Sequence, residues 1–233
     1  MGNELVFLPD NYINAEPYTT SLIIADYAEI KHHSVQQLIM KHEKDLQEFG
    51  AISAFEMRKL SKAGRPEIIY HLNEQQATLL ITYMKNTEPV RRFKKALVKE
   101  FYAMKNELTE RKINRSMLKH THKSLAEAVK LIPPHPHSSM DYANYNNMAY
   151  IIAFGCSSVS LKKQRNAKTG ASASDYLTSY ELERLDNIKD KICICIEMGM
   201  EYAEIKDKLT KMQLKELHQR SVEHDRNENV HNS

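Results

Sequence analysis

Between Ser21 and Phe101 the hydrophobic period changes twice, from helical to alternating and back, and that order leaves few folds open. In Ser21–Ile30 (S-L-I-I-A-D-Y-A-E-I), Leu22, Ile23, Tyr27 and Ile30 form one apolar stripe, with Ser21 expected as the cap. Lys31-His32-His33 reads as a three-residue turn. Ser34 and Gln37 then have capping-box spacing. The helix they open, Ser34–Lys41, turns Val35, Leu38, Ile39 and His42 inward, and Gln36, Gln37, Met40 and Lys41 outward. Two short helices on a tight turn make either a helix-turn-helix or an ordinary piece of helical core. Spacing alone leaves both open.

Ala54–Leu60 and Glu67–Leu72 read as strands flanking Ser61-Lys62-Ala63-Gly64-Arg65-Pro66, whose Gly and Pro supply a turn. Asn73 with Gln76 makes a second capping box and opens a helix that runs to Met84. Helix, turn, helix, hairpin is the order of a winged helix. Between Met57 and Pro66 stand Arg58, Lys59, Lys62 and Arg65 with no acidic residue. Four like charges there need water or a polyanion, and a phosphate backbone fits.

Four separated segments carry a resemblance. They are T-T-S-L-I-I-A at Thr19–Ala25, H-H-S-V-Q-Q-L-I at His32–Ile39, L-N-E-Q-Q-A-T-L-L at Leu72–Leu80, and M-K-N-T-E-P-V-R-R-F-K-K-A-L-V-K-E-F at Met84–Phe101. Together they resemble the Rha family of bacteriophage regulatory proteins, in order and without large gaps, over residues 19 to 105. The resemblance implies a DNA-binding regulator related to the domains of phage antirepressors. Here the neutral Gln36-Gln37 stand where many members carry a basic residue, and Gln can read adenine edges bidentately.

Charge is unevenly spread. Residues 1–84 hold 7 Lys/Arg against 11 Asp/Glu, whereas residues 85–130 hold 13 against 5. Two readings of the basic stretch stand: it supplies phosphate contacts, or it pairs with the acidic segment 175–212 of the same or another subunit. No run is long and apolar enough for a bilayer, and no secretory leader pattern opens the chain. Three cysteines without paired spacing point to a reducing cytoplasm, that of a bacterial host. Few Gly and Pro point to a mostly α protein with a small β part, an α+β fold.

Five segments are expected. Residues 1–18 form a loose arm, and 19–108 a winged-helix-like domain. A basic helix and Pro-rich linker occupy 109–140, a helical domain for oligomerisation or partner binding 141–217, and a disordered tail 218–233. Pro89 opens a long helix whose Val90, Phe93, Leu97, Phe101, Met104 and Leu108 recur at intervals of 3, 4, 4, 3 and 4. That seam suits a coiled-coil-like dimer contact or the domain's own core equally. Beyond Pro133-Pro134-His135-Pro136, Tyr142–Cys156 reads as a buried helix and Ser160–Ser174 as a mobile basic loop. Thr178 and Glu181 make a third capping box, opening a helix through Leu182, Leu185, Ile188, Ile192 and Cys195. The tail more weakly resembles helical regions behind other phage regulatory domains.

Enzyme chemistry finds little support. His32-His33, His120-x-His122 and His135-x-His137 read as solvated histidines without chelating partners. Cys193 and Cys195 sit about 200° apart on their helix. No metal and no cofactor is expected, no nucleophile has a nearby base, and a non-enzymatic protein is expected. Two functions remain. One is a phage or prophage regulator that binds double-stranded DNA as a homo-oligomer, dimer or tetramer. In it His33, Gln36, Gln37 and Lys41 enter the major groove. Arg58, Lys59, Lys62 and Arg65 grip from the wing, and Arg91, Arg92, Lys94 and Lys95 hold phosphates. The other is an antirepressor or adaptor that binds another phage regulator through its helical C-terminal region.

Overall fold

In the computed structural model, which describes residues 4–57 and 67–215, Thr20 rather than Ser21 caps the first helix. The Thr20 hydroxyl accepts the Ile23 N–H at 3.3 Å, and Ser21 is freed to act elsewhere. The chain divides into two units, Met1–Thr109 and Glu110–Ser233. It is mostly α, with one small sheet.

The first unit runs β1 (Tyr18–Thr20), α1 (Ser21–Tyr27), α2 (His32–Lys41), α3 (Glu43–Gln47), β2 (Ser53–Met57), β3 (Glu67–Asn73), α4 (Glu74–Tyr83) and the start of α5 (Glu88–Val129). The antiparallel sheet has the order β1-β3-β2, with Thr20 opposite His71 and Met57 opposite Glu67. Residues 58–66, with Arg58, Lys59, Lys62 and Arg65, lie outside the described residues, as does the expected tail 218–233.

The α5 seam is intramolecular. Val90, Phe93, Leu97 and Phe101 are buried in one core with Ile24, Ile39, Leu72 and Leu80. The expected looseness of residues 1–18 does not hold from residue 4 on. Leu5 and Val6 enter the same core, and Phe7 and Tyr18 exchange backbone hydrogen bonds of 2.8 and 2.9 Å. Apolar side chains that fill a core outweigh the turn-forming prolines around them.

Asn73 and Gln76 form the reciprocal capping box that their spacing predicts. Both also reach beyond the helix. Asn73 Nδ2 donates to the Phe49 carbonyl and Gln76 Nε2 to the Gly50 carbonyl, each at 2.8 Å. Gly50, at φ +120°, is where the chain turns from α3 toward β2. Asn73→Ala removes the cap and one tie to this turn. A loss of about 1–2 kcal/mol is expected in denaturant unfolding; an unmoved midpoint would deny the cap its role.

The second unit takes α5 from residue 110, a 3-10 turn (Ser138–Met140), α6 (Asp141–Phe154), α7 (Ser158–Gln164), a second 3-10 turn (Ala173–Tyr176) and α8 (Ser179–Glu197). Residues 202–215 are helical as well. Leu118, Leu125, Met148, Leu182, Leu185, Ile192 and Ile205 share its core. The Thr178–Glu181 box forms as expected. Ser160–Ser174 is not a mobile loop. Ser157 caps α7 by accepting the Ser160 N–H, Leu161 is buried, and the buried Tyr176 accepts the Lys168 N–H at 3.0 Å through its hydroxyl.

Lys189 is 0 % exposed in this core. Its Nζ lies 2.6 Å from Asn146 Oδ1 and 2.9 Å from His122 Nδ1, beside the Tyr150 ring. None of these partners is a carboxylate. Burial, and next the Arg115 charge, lower the amine to about 7, against smaller opposing effects of Asp186 and Cys193. Burial, then Lys189 and Arg115, lower His122 to about 4. His122 is therefore not the solvated histidine expected. His135 is exposed, as the sequence suggests, with its Nε2 2.9 Å from Asp141 Oδ2.

Candidate nucleic-acid interface

The first unit's α2 buries Val35 and Ile39 and leaves His33, Ser34, Gln37, Met40 and Lys41 exposed. Its expected capping box is absent. The helix begins at His32 with Lys31 at the cap, so Ser34 already lies inside the first turn. His32 explains the earlier start, because it is held from both sides. Nδ1 lies 2.6 Å from Glu67 Oε1, and Nε2 lies 2.9 Å from Ser21 Oγ. Its side chain is only 9 % exposed, not solvated in a turn as the sequence suggests. One proton pattern satisfies all members: Nδ1–H donates to Glu67, Ser21 donates to Nε2, and Tyr70 N–H donates to Ser21 Oγ at 3.0 Å.

Serine, histidine and glutamate in this order have the connectivity of a nucleophilic triad. Ser21 is 0 % exposed, however, and its oxygen already accepts a backbone N–H. No substrate reaches it. The relay is a structural tie between α1, α2 and the first residue of β3.

A second tie follows one turn along. Gln36 Nε2 donates to the Ile68 carbonyl at 2.7 Å, and Gln36 is half-buried. Both ties have one cause. Strand β1 covers β3 only from His71 to Asn73. Backbone groups of Tyr70 and Ile68 on that edge therefore lack a strand partner, and Ser21 and Gln36 supply the missing hydrogen bonds. Alternation puts residues 68 and 70 on the same side of the strand as the bonds to β1 require.

The basic start of α5 lies near this structure. Arg92 pairs with Glu29 at 3.3 Å, in the turn between α1 and α2, where Glu29 adopts φ +54°. Arg91 donates to the Asn86 carbonyl at 2.9 Å and pairs with Glu88. Lys95 is exposed and Lys94 half-buried. Exposed pairs of this kind contribute at most about 1 kcal/mol and exchange readily for another anion. The structure thus brings His33, Gln37 and Lys41 onto one exposed face and sets Arg92 beside the turn before it. Gln36 leaves that face for the sheet. Sequence reading took Ser21 for a cap and His32 for a turn residue and did not connect either with Glu67, because the bonds that join them span 11 and 35 residues.

Residues 19–106 match the family model of phage regulatory protein Rha. Over this segment the chain is similar to the Rha family. The match spans α1 through the first half of α5, and so takes in every α2 residue named above. Against curated proteins the chain has no match. Among the described residues no group of three His, Cys, Asp or Glu could hold a metal ion, and no helix is long and apolar enough to cross a membrane.

Proposed function

We propose that this Rha-type chain is a phage or prophage regulator that binds double-stranded DNA, with α1, its turn and α2 as a helix-turn-helix and β2–β3 as the base of a wing. One observation carries the reading. The polar side chains of α2 that face water, His33, Gln37 and Lys41, belong to a helix bonded directly to the hairpin strand β3. A helix that presents amide and cationic side chains and is tied to the strand β3 suits major-groove entry. Arg58, Lys59, Lys62 and Arg65 supply the charge between β2 and β3, and Arg91, Arg92, Lys94 and Lys95 add phosphate contacts.

Gel shift at 50 and 200 mM salt tests the reading. A protein that neutralises about four phosphates loses roughly a hundredfold in affinity over this step. Absence of DNA binding at 50 mM would end the proposal. An adaptor or antirepressor role is the second reading, favoured by the acidic balance of residues 1–84 and by the separate core of the second unit. It predicts capture of another phage regulator by the full chain and no DNA affinity to lose. Homo-oligomerisation, if it accompanies either role, uses a surface other than the α5 seam.

A further inference from the structure

We infer that Gln36, with His32, is a positioning residue that sets α2 against the sheet, and that sequence choice falls to His33, Gln37 and Lys41. The inference rests on the DNA-binding reading above. Both adjacent glutamines have the chemistry to read adenine, and the sequence makes them equivalent. The sheet does not. Ile68 presents a carbonyl on an edge that β1 leaves uncovered, and Gln36 Nε2 satisfies it at 2.7 Å. Were Gln36 to turn toward a base, that carbonyl would lose its partner. His32 adds a second attachment at the preceding turn of the same helix face, through Glu67 and Ser21. Residues 32 and 36 therefore share a sheet-facing side, while residues 33, 37 and 41 recur at the helical interval on the exposed side.

The two roles separate in a selection experiment with the full chain and a randomised duplex pool. Wild type yields a preferred sequence. Gln37→Ala should lose discrimination at one or two base positions, by about fivefold to a hundredfold. Gln36→Ala should bind all sequences about three- to tenfold more weakly with the same preferred bases, because a loosened helix is misplaced rather than rewritten. Gln36→Lys decides the matter. A lysine can donate to the Ile68 carbonyl again, so a positioning role predicts recovered affinity with an unchanged preference. A base-reading role predicts a switch toward guanine at one position, since lysine pairs with guanine acceptors. That switch, or a changed base under Gln36→Ala with the protein still folded by circular dichroism, overturns this assignment and leaves the DNA reading standing. A pool with no enriched sequence removes both.

Discussion

Phe93→Ala is expected to lower the stability of the first unit by about 3–5 kcal/mol, which for a domain of ordinary stability leaves little in reserve. Phe93 is 1 % exposed and stands at the centre of the α5 seam, with its ring centroid 6.5 Å from that of Tyr27. Truncation removes the transfer free energy of a phenyl ring. It also leaves a cavity lined by α1 and by Val90 and Leu97 on α5 itself. The same residue was a candidate dimer contact by spacing, and the two roles differ in one measurable way. A core residue lowers the denaturation midpoint by the same amount at every protein concentration, whereas a dimer seam makes the midpoint of wild type rise with concentration. Denaturant unfolding at concentrations a hundredfold apart checks this. A concentration-dependent midpoint for the first unit would place the seam between chains. Tyr102→Ala, on the exposed side of the same helix, should shift the midpoint by no more than about 0.5 kcal/mol.

The second unit should grow more stable as pH rises, in two windows. His122, lowered to about 4 in the fold, binds its proton more tightly in the unfolded chain, so stability rises between about pH 4 and 6.5. Lys189, lowered to about 7, does the same from about pH 7 to 9; above that Cys193, raised by burial to about 11, opposes it. For each group the cost of holding the charge is fully present below the folded value and gone above the unfolded one. Within a window the slope reaches at most about 1.4 kcal/mol per pH unit. Lys189→Met removes the buried amine while keeping an unbranched chain of similar length, so the upper window should vanish and the lower one persist. The comparison is denaturant unfolding of both proteins from pH 5 to 9.5, followed by hydrogen exchange of α8 amides. A slope above pH 7 that survives Lys189→Met would assign the proton to another group. Asn146 loses its donor in this variant, so the pH slope is the quantity to compare, not the absolute stability.

Local patterns were legible without coordinates wherever a residue's partner is three or four positions away. The boxes Asn73–Gln76 and Thr178–Glu181 form as read, because a cap is closed by its own first turn. Strands at β2 and β3, the long helix opening at Pro89 and the buried helix α6 follow from hydrophobic period alone. Ser34–Gln37 shows the limit of such reading: a valid motif yields when distant groups start the helix two residues earlier.

Sequence by itself determined the apolar seam of α5 and where most elements begin. It did not determine the buried face of α1, where Ile24, Ala25 and Ala28 fill the core and the stripe read at Leu22, Ile23, Tyr27 and Ile30 stays half-buried. Only the tertiary structure decided what covers each face. Tyr70 and Ile68 find their partners 49 and 32 residues away, on Ser21 and Gln36, and no periodicity encodes a bond across that separation. The α5 seam could close on a second chain or on its own core, and it closes on its own because α1, α2, α4 and Leu5–Val6 supply enough apolar surface to bury it. A glutamine and a lysine that look solvated in one dimension become an edge partner and a buried amine in three, since burial is a property of neighbours rather than of residue type.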